Sequence, residues 1–218
     1  MNESNGNRWF LLSGIVFVIL YLVPGLLIGG IGFMPDGEDV IAFASSNANM
    51  VYLAGYLGTL SAFFLLWFTG SLRGVLKGAG PLRDPLADIA FGGGVAAAVL
   101  MAAAHAGFGV MSERAASAAG IGPDSAVATI DTWGSLSGVA LPIAFAALIG
   151  ASGLALLRTK LLPAWFGWVS VILAVALLTP FSYVLLVIIL VWLVVISAWL
   201  FVVMGREPEA ASQPSAGD

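Results

Sequence analysis

The chain has 218 residues, 60% of them hydrophobic and only 9% charged, with a net charge of −4. Soluble domains carry roughly 25% charged residues, so most of this surface cannot face water and an integral membrane protein is expected. The absence of cysteine excludes disulfides, thiolate catalysis and cysteine-ligated metals, and no basic run points to nucleic acid as a partner.

A helix needs about 20 mostly apolar residues to cross a hydrocarbon core of about 30 Å. Six segments meet that requirement, at about 9–32, 50–72, 88–111, 130–157, 162–179 and 181–204. The first exceeds the 7–15 apolar residues of a signal peptide, and "AFA" at 42–44 comes too late for cleavage, so it reads as a retained helix. The stretch after it, "EDVIAFASSNANM", suits a short amphipathic helix on the membrane surface, with Val40, Ile41 and Phe43 dipping inward. The second and third segments are joined by "RGVLKGAGPLRDP", whose Gly74, Lys77 and Gly78 lack phosphate-loop spacing. Its positive charge suits anionic inner-leaflet lipid.

The third segment holds the only histidine, His105, about six residues before the end expected to be the outer one. The fourth is expected to open at Asp131 and to continue its face through Ser135, Gly138 and Pro142. Pro24 and Pro142 should kink their helices, and Pro142, preceded by "SGVA", could open a cavity toward the outer half. A short turn around Pro180 separates the fifth and sixth segments. Runs such as "YVLLVIILVWLVVISAWLF" show no period-two alternation, so helices are expected rather than a barrel.

Orientation follows from the cations. With the N-terminus inside, Arg8, Arg73, Lys77, Arg83, Arg158, Lys160 and Arg206 are all cytoplasmic and only Arg114 is outside. The fold class expected is therefore an all-α, polytopic bundle of six helices, N-in and C-in, over 9–204. Residues 1–8 and 205–218 are polar, cytoplasmic and expected to be disordered. Trp9, Trp67, Trp165, Trp168 and Trp199 fall near the inner interface; Phe33, Tyr52, Trp133 and Tyr183 fall near the outer one. Trp192 lies too deep for either belt and is expected between helices.

In lipid, helices associate through close packing of small residues. Gly94, Ala98, Ala102 and Ala106 are spaced by four on the third segment. Gly25 and Gly29, Gly58 and Ala62, and Gly134 and Gly138 with Gly150 offer similar faces. An acidic stretch, a helix, a basic connection with proline and a returning helix occur over 36–111 and again over 124–179. Any protein obeying the positive-inside rule produces some such echo.

Intramembrane ionisable groups are candidates for function. His105, Asp131 and Ser135 form a candidate polar site if the third helix frays at Gly107–Gly109. The competing readings are structural: a histidine satisfied by a carbonyl, and an aspartate at a helix start. One histidine cannot supply bis-histidine haem ligation or a zinc site, and no nucleophile elbow or mid-membrane carboxylate pair is present. No cofactor, no metal and no enzyme activity are expected. The leading reading is a non-catalytic plasma-membrane protein that packs with itself or with a membrane partner. The alternative is a small transporter or proton-linked permeation protein centred on His105 and Asp131.

Three segments, "FFLLWFTGSLRG" (63–74), "IAFGGGVAAAVL" (89–100) and "LLPAWFGWVSVILAV" (161–175), together resemble a group of actinobacterial six-helix integral membrane proteins of unknown function. Pro163, Trp165, Gly167 and Trp168 are the most distinctive part; the residue after that proline is often basic in the group and is Ala164 here. The resemblance implies a six-helix fold in a bacterial cell membrane, and no activity.

Overall fold

The computed structural model describes residues 9–29, 31, 36–79, 85–117, 120–180 and 185–210, the last six as backbone only. Arg8, Arg83, Phe33 and Tyr183, the side chain of Arg206 and the tail from 211 lie outside the described residues. The described chain is helical and contains no strand. We label the helices α1 (Phe10–Ile28, opening with a 3-10 turn), α2 (Gly37–Ser46), α3 (Ala48–Ala79) and α4 (Leu86–Ala116). They are followed by α5 (Pro123–Ser135), α6 (Leu141–Thr159), α7 (Ala164–Leu177) and α8 (Leu186–Ala210). A π-turn over Leu136–Ala140 joins α5 to α6, making one helical rod from Pro123 to Thr159.

Five of these rods are long and apolar enough to cross a membrane. The expected fifth segment yields only the 14 residues of α7, about 21 Å at 1.5 Å per residue. Pro163 precedes the helix, and Leu178 and Thr179 close it with turn hydrogen bonds to Val175 and Ala176 just before Pro180.

Helices α1, α3, α4, α6 and α7 each pack on the next, α8 returns to α1, and α8 meets α7 through side chains. The α7–α8 seam is polar at one point: Trp192 donates from Nε1 to Ser170 Oγ at 2.8 Å, and Ser170 donates to the Phe166 carbonyl at 2.8 Å. Trp192 also stacks on Phe166 and is buried, as its depth in the last apolar run predicts. A buried indole N–H in an apolar medium must find an acceptor or cost several kcal/mol. Ser170 answers that need.

Outward faces carry large apolar side chains. Ile19, Leu26, Phe63, Val99, Ile172, Val175 and Val191 are all exposed. A water-soluble surface does not present apolar area on this scale. The chain is a multi-pass membrane protein.

The end where α3 stops and α4 starts is basic. Asp88 accepts from Arg73 Nε at 2.7 Å and from Lys77 Nζ at 2.9 Å, while the Arg73 guanidinium lies over the Phe91 ring. Asp88 is therefore an ion-pair partner between two helices as well as a first-turn acid; no side chain caps this helix start. Trp9 meets Phe201 and Trp67 meets Phe10 at the same end.

At the opposite, acidic end, α2 exists as expected but lies elsewhere. Asp36 caps it through the Asp39 N–H at 2.9 Å. Val40 and Ala44 are buried in a cluster with Val51, Phe108, Met111 and Ala126. A Cβ on Gly37 would run into the Pro123 backbone. The helix closes over the bundle end instead of lying in lipid, because its apolar face finds α4 and α5 first.

Candidate functional site

His105 sits on α4 and is 4% exposed. The Met101 carbonyl can only accept, so Nδ1 carries the proton and donates to it at 2.9 Å. The ring edge faces Gly58 on α3 so closely that a Cβ there would overlap it. Tyr21 on α1 meets the ring edge-on at 5.9 Å, and Phe108 lies one turn further along α4 at 6.3 Å. Glycine at 55 and 58 creates this approach: a Cβ on Gly55 would stand 3.0 Å from both the His105 carbonyl and the Gly109 nitrogen. The histidine thus closes a backbone-to-backbone seam between α3 and α4.

The expected contact with Asp131 does not form. Helix α4 continues unbroken to Ala116 instead of fraying at Gly107–Gly109. Asp131 does not start its helix either, since α5 begins at Pro123. Asp131 and Ser135 are both exposed. The 112–129 stretch between the expected third and fourth segments is helix at both ends, and that extra length moves Asp131 away from the helix terminus.

The small-residue face of α4 is partly as expected. Gly94 is pressed against Thr69, and Ala98 is buried. Ala102 is half-buried and Ala106 is exposed. A helix turns about 100° per residue, so a spacing of four drifts by about 40° at each step. After three steps Ala106 has left the interface. The buried line follows alternating steps instead, through Ala90, Gly94, Ala97, Met101 and Ala104 to Phe108. Gly134 and Gly138 are not pressed against a described neighbour: a Cβ on either would meet nothing within 4 Å. The same holds for Gly25, whereas Gly150 is packed against Ala174.

Gly134 and Gly138 instead line a cavity of about 210 Å³ together with Tyr21, Trp133, Ser137, Pro142 and residues of α6 and α8. Proline at 142 cannot donate to the carbonyl four residues back, and its ring would clash there. The backbone adapts by widening: the Leu141 N–H reaches Leu136 O, five residues back. Such π-turns recur at functional sites. The cavity expected beside Pro142 is present, while Tyr21 and Ser137 are lining residues that no sequence argument singled out.

Trp133, expected in an interfacial belt, turns inward against Phe108 at 5.6 Å. Its indole also borders a second cavity of about 280 Å³ near Ala104, Gly107 and Thr129. Its N–H is covered by protein and meets no acceptor. Among the described residues, no cluster of histidine and carboxylates could hold a metal ion. Comparison with protein-family models, with curated proteins and with solved structures finds no match for this chain.

Proposed function

We propose that the chain crosses a bacterial plasma membrane six times, with both termini cytoplasmic, and that it works without catalytic chemistry by associating with a second copy of itself. The sixth span in this reading is α7. Trp165 and Trp168 anchor one end of it, and local thinning of the bilayer accommodates its short length. The actinobacterial origin implied by segments 63–74, 89–100 and 161–175 belongs to the same proposal.

One observation carries the association reading. Gly70, Gly74 and Gly78 form a row on α3 that meets no described side chain, whereas Gly55, Gly58 and Gly94 on the bundle seams are pressed against neighbours. The row borders a cleft of about 600 Å³ whose other wall includes Leu200, Val203 and Met204 of α8. Small residues at a spacing of four let a neighbouring helix approach closely in lipid, where no hydrophobic force draws helices together. The cleft offers such a neighbour both a flat backbone surface and an apolar wall.

Because the chain has no cysteine, a single Gly74→Cys substitution reports on one position. Short bifunctional cross-linking in native membranes should give a dimer from Gly74→Cys and none from Val99→Cys, placed on the exposed face of α4. Equal yields from the two positions, or none from Gly74→Cys, would refute self-association through this cleft. A cross-linked product of different mass would move the reading to a membrane-protein partner.

The alternative, proton-linked permeation through His105 and Asp131, gains no support from the geometry. The ring is closed in by Gly58, Tyr21 and Phe108, and Asp131 is on the surface. Unchanged pH-dependent flux in proteoliposomes carrying His105→Ala would eliminate it.

A further inference from the structure

We propose that the cavity beside the π-turn is a binding site for a small, uncharged, largely apolar molecule bearing one hydroxyl oxygen. Its volume of about 210 Å³ exceeds that of the engineered apolar cavity of about 150 Å³ that takes up benzene, so the walls accommodate a substituted six-membered ring. Tyr21, Trp133 and Phe145 supply aromatic surface, Pro142 and Leu141 supply aliphatic surface, and no charged residue lines the space among the described residues. A charged ligand would forfeit its hydration without a counter-charge.

The polar part of the recognition comes from two hydroxyls. Tyr21 and Ser137 both line the cavity, and neither side chain has a hydrogen-bond partner among the described residues. Neither oxygen is among the unpartnered polar atoms that protein seals off, so each keeps some accessible surface. Helical Ser152 and Ser197 also lack a partner, but protein atoms seal their oxygens. Helical Ser61, Ser71, Ser112 and Ser170 all donate to a carbonyl three or four residues back. Within the π-turn Ser137 makes no such bond, and its hydroxyl is available. A ligand oxygen can accept from one hydroxyl and donate to the other. The indole N–H of Trp133 takes no part, because protein atoms cover it.

The glycines complete the site. Gly134 and Gly138 line the cavity and a Cβ on either would meet no described atom, so larger side chains there have the cavity to fill.

The test uses the full chain in nanodiscs, with 4-propylphenol as probe and propylbenzene as its oxygen-free control, each measured by equilibrium dialysis against protein-free nanodiscs. The wild type should retain both above the lipid background and should prefer the phenol. Tyr21→Phe and Ser137→Ala should each reduce that preference by about fivefold to tenfold, the size of one neutral hydrogen bond, and leave propylbenzene binding unchanged. Gly134→Leu should abolish retention of both probes. Retention no greater than by lipid alone, retention that survives Gly134→Leu, or a preference unmoved by both hydroxyl variants would overturn the proposal. Tyr21→Phe keeps the ring and removes one oxygen, so its arm does not depend on how well Gly134→Leu folds.

Discussion

The α3–α4 seam at His105 permits a quantitative test. Replacing a helix-interior glycine by alanine is worth up to about 1 kcal/mol in backbone propensity. Gly92→Ala, on the exposed face of α4, should realise that gain, because its Cβ would meet nothing. Gly58→Ala should not. The new methyl would overlap the His105 ring at Cγ and Cδ2 and stand 2.8 Å from Nε2. Overpacking of this kind costs about 1–3 kcal/mol. The ring cannot yield freely: turning it aside breaks the 2.9 Å bond to the Met101 carbonyl, itself worth about 0.5–1.5 kcal/mol. Gly58→Ala is therefore expected about 1–3 kcal/mol below Gly92→Ala in unfolding free energy. With His105→Ala as background the obstruction is gone, and the gap should fall below about 0.5 kcal/mol, the range within which independent sites add. Reversible unfolding in mixed micelles, followed by circular dichroism, measures all of these variants. Equal stabilities for Gly58→Ala and Gly92→Ala, or a gap that persists without the histidine, would refute the claim that the ring fills the space left by Gly58.

Ser170→Ala should destabilise by about 1–2 kcal/mol, because it strands the Trp192 N–H in the α7–α8 seam; adding Trp192→Phe should cost less than the sum of the two single changes in the same unfolding assay. Asp88→Asn should lower stability at low ionic strength and have little effect in high salt, because its partners Arg73 and Lys77 are solvent-accessible and screened. Lys160 ends α6 at φ 56°, a left-handed conformation that glycine adopts without penalty, so Lys160→Gly should raise stability by about 0.5–1 kcal/mol. Single cysteines at Ala79 and Lys160 should react with an impermeant maleimide from one side of the membrane and a cysteine at Ser125 from the other. Labelling of 79 and 160 from opposite sides would break the six-span topology.

What was legible in the residues follows from the solvent. Apolar runs of membrane-spanning length, with cations grouped at their ends, leave the backbone one way to satisfy itself, and five such rods are present. The depth of Trp192 and the strain of Pro142 are also local properties, and both led to correct expectations: a buried tryptophan and a cavity beside the proline. Helix ends were less legible. Residues 112–116 and 123–129 carry polar side chains yet continue their helices, because folding over by α2 buries their apolar face at Met111 and Ala126.

Which way a side chain faces depends on rotation accumulated along a helix and on which neighbour arrives. A stripe spaced by four carried Ala106 out of the interface, and unbroken helix at 107–116 turned His105 toward Gly58 and Tyr21 instead of Asp131. The pairing of Tyr21 with Ser137 across one cavity joins positions 116 residues apart (137 − 21). No periodicity within either segment encodes that meeting. The sequence by itself determined an oily, helical, many-times-crossing chain, because lipid constrains composition residue by residue. The tertiary structure alone decided which polar groups meet, because helix packing registers distant turns against each other through contacts that no single segment contains.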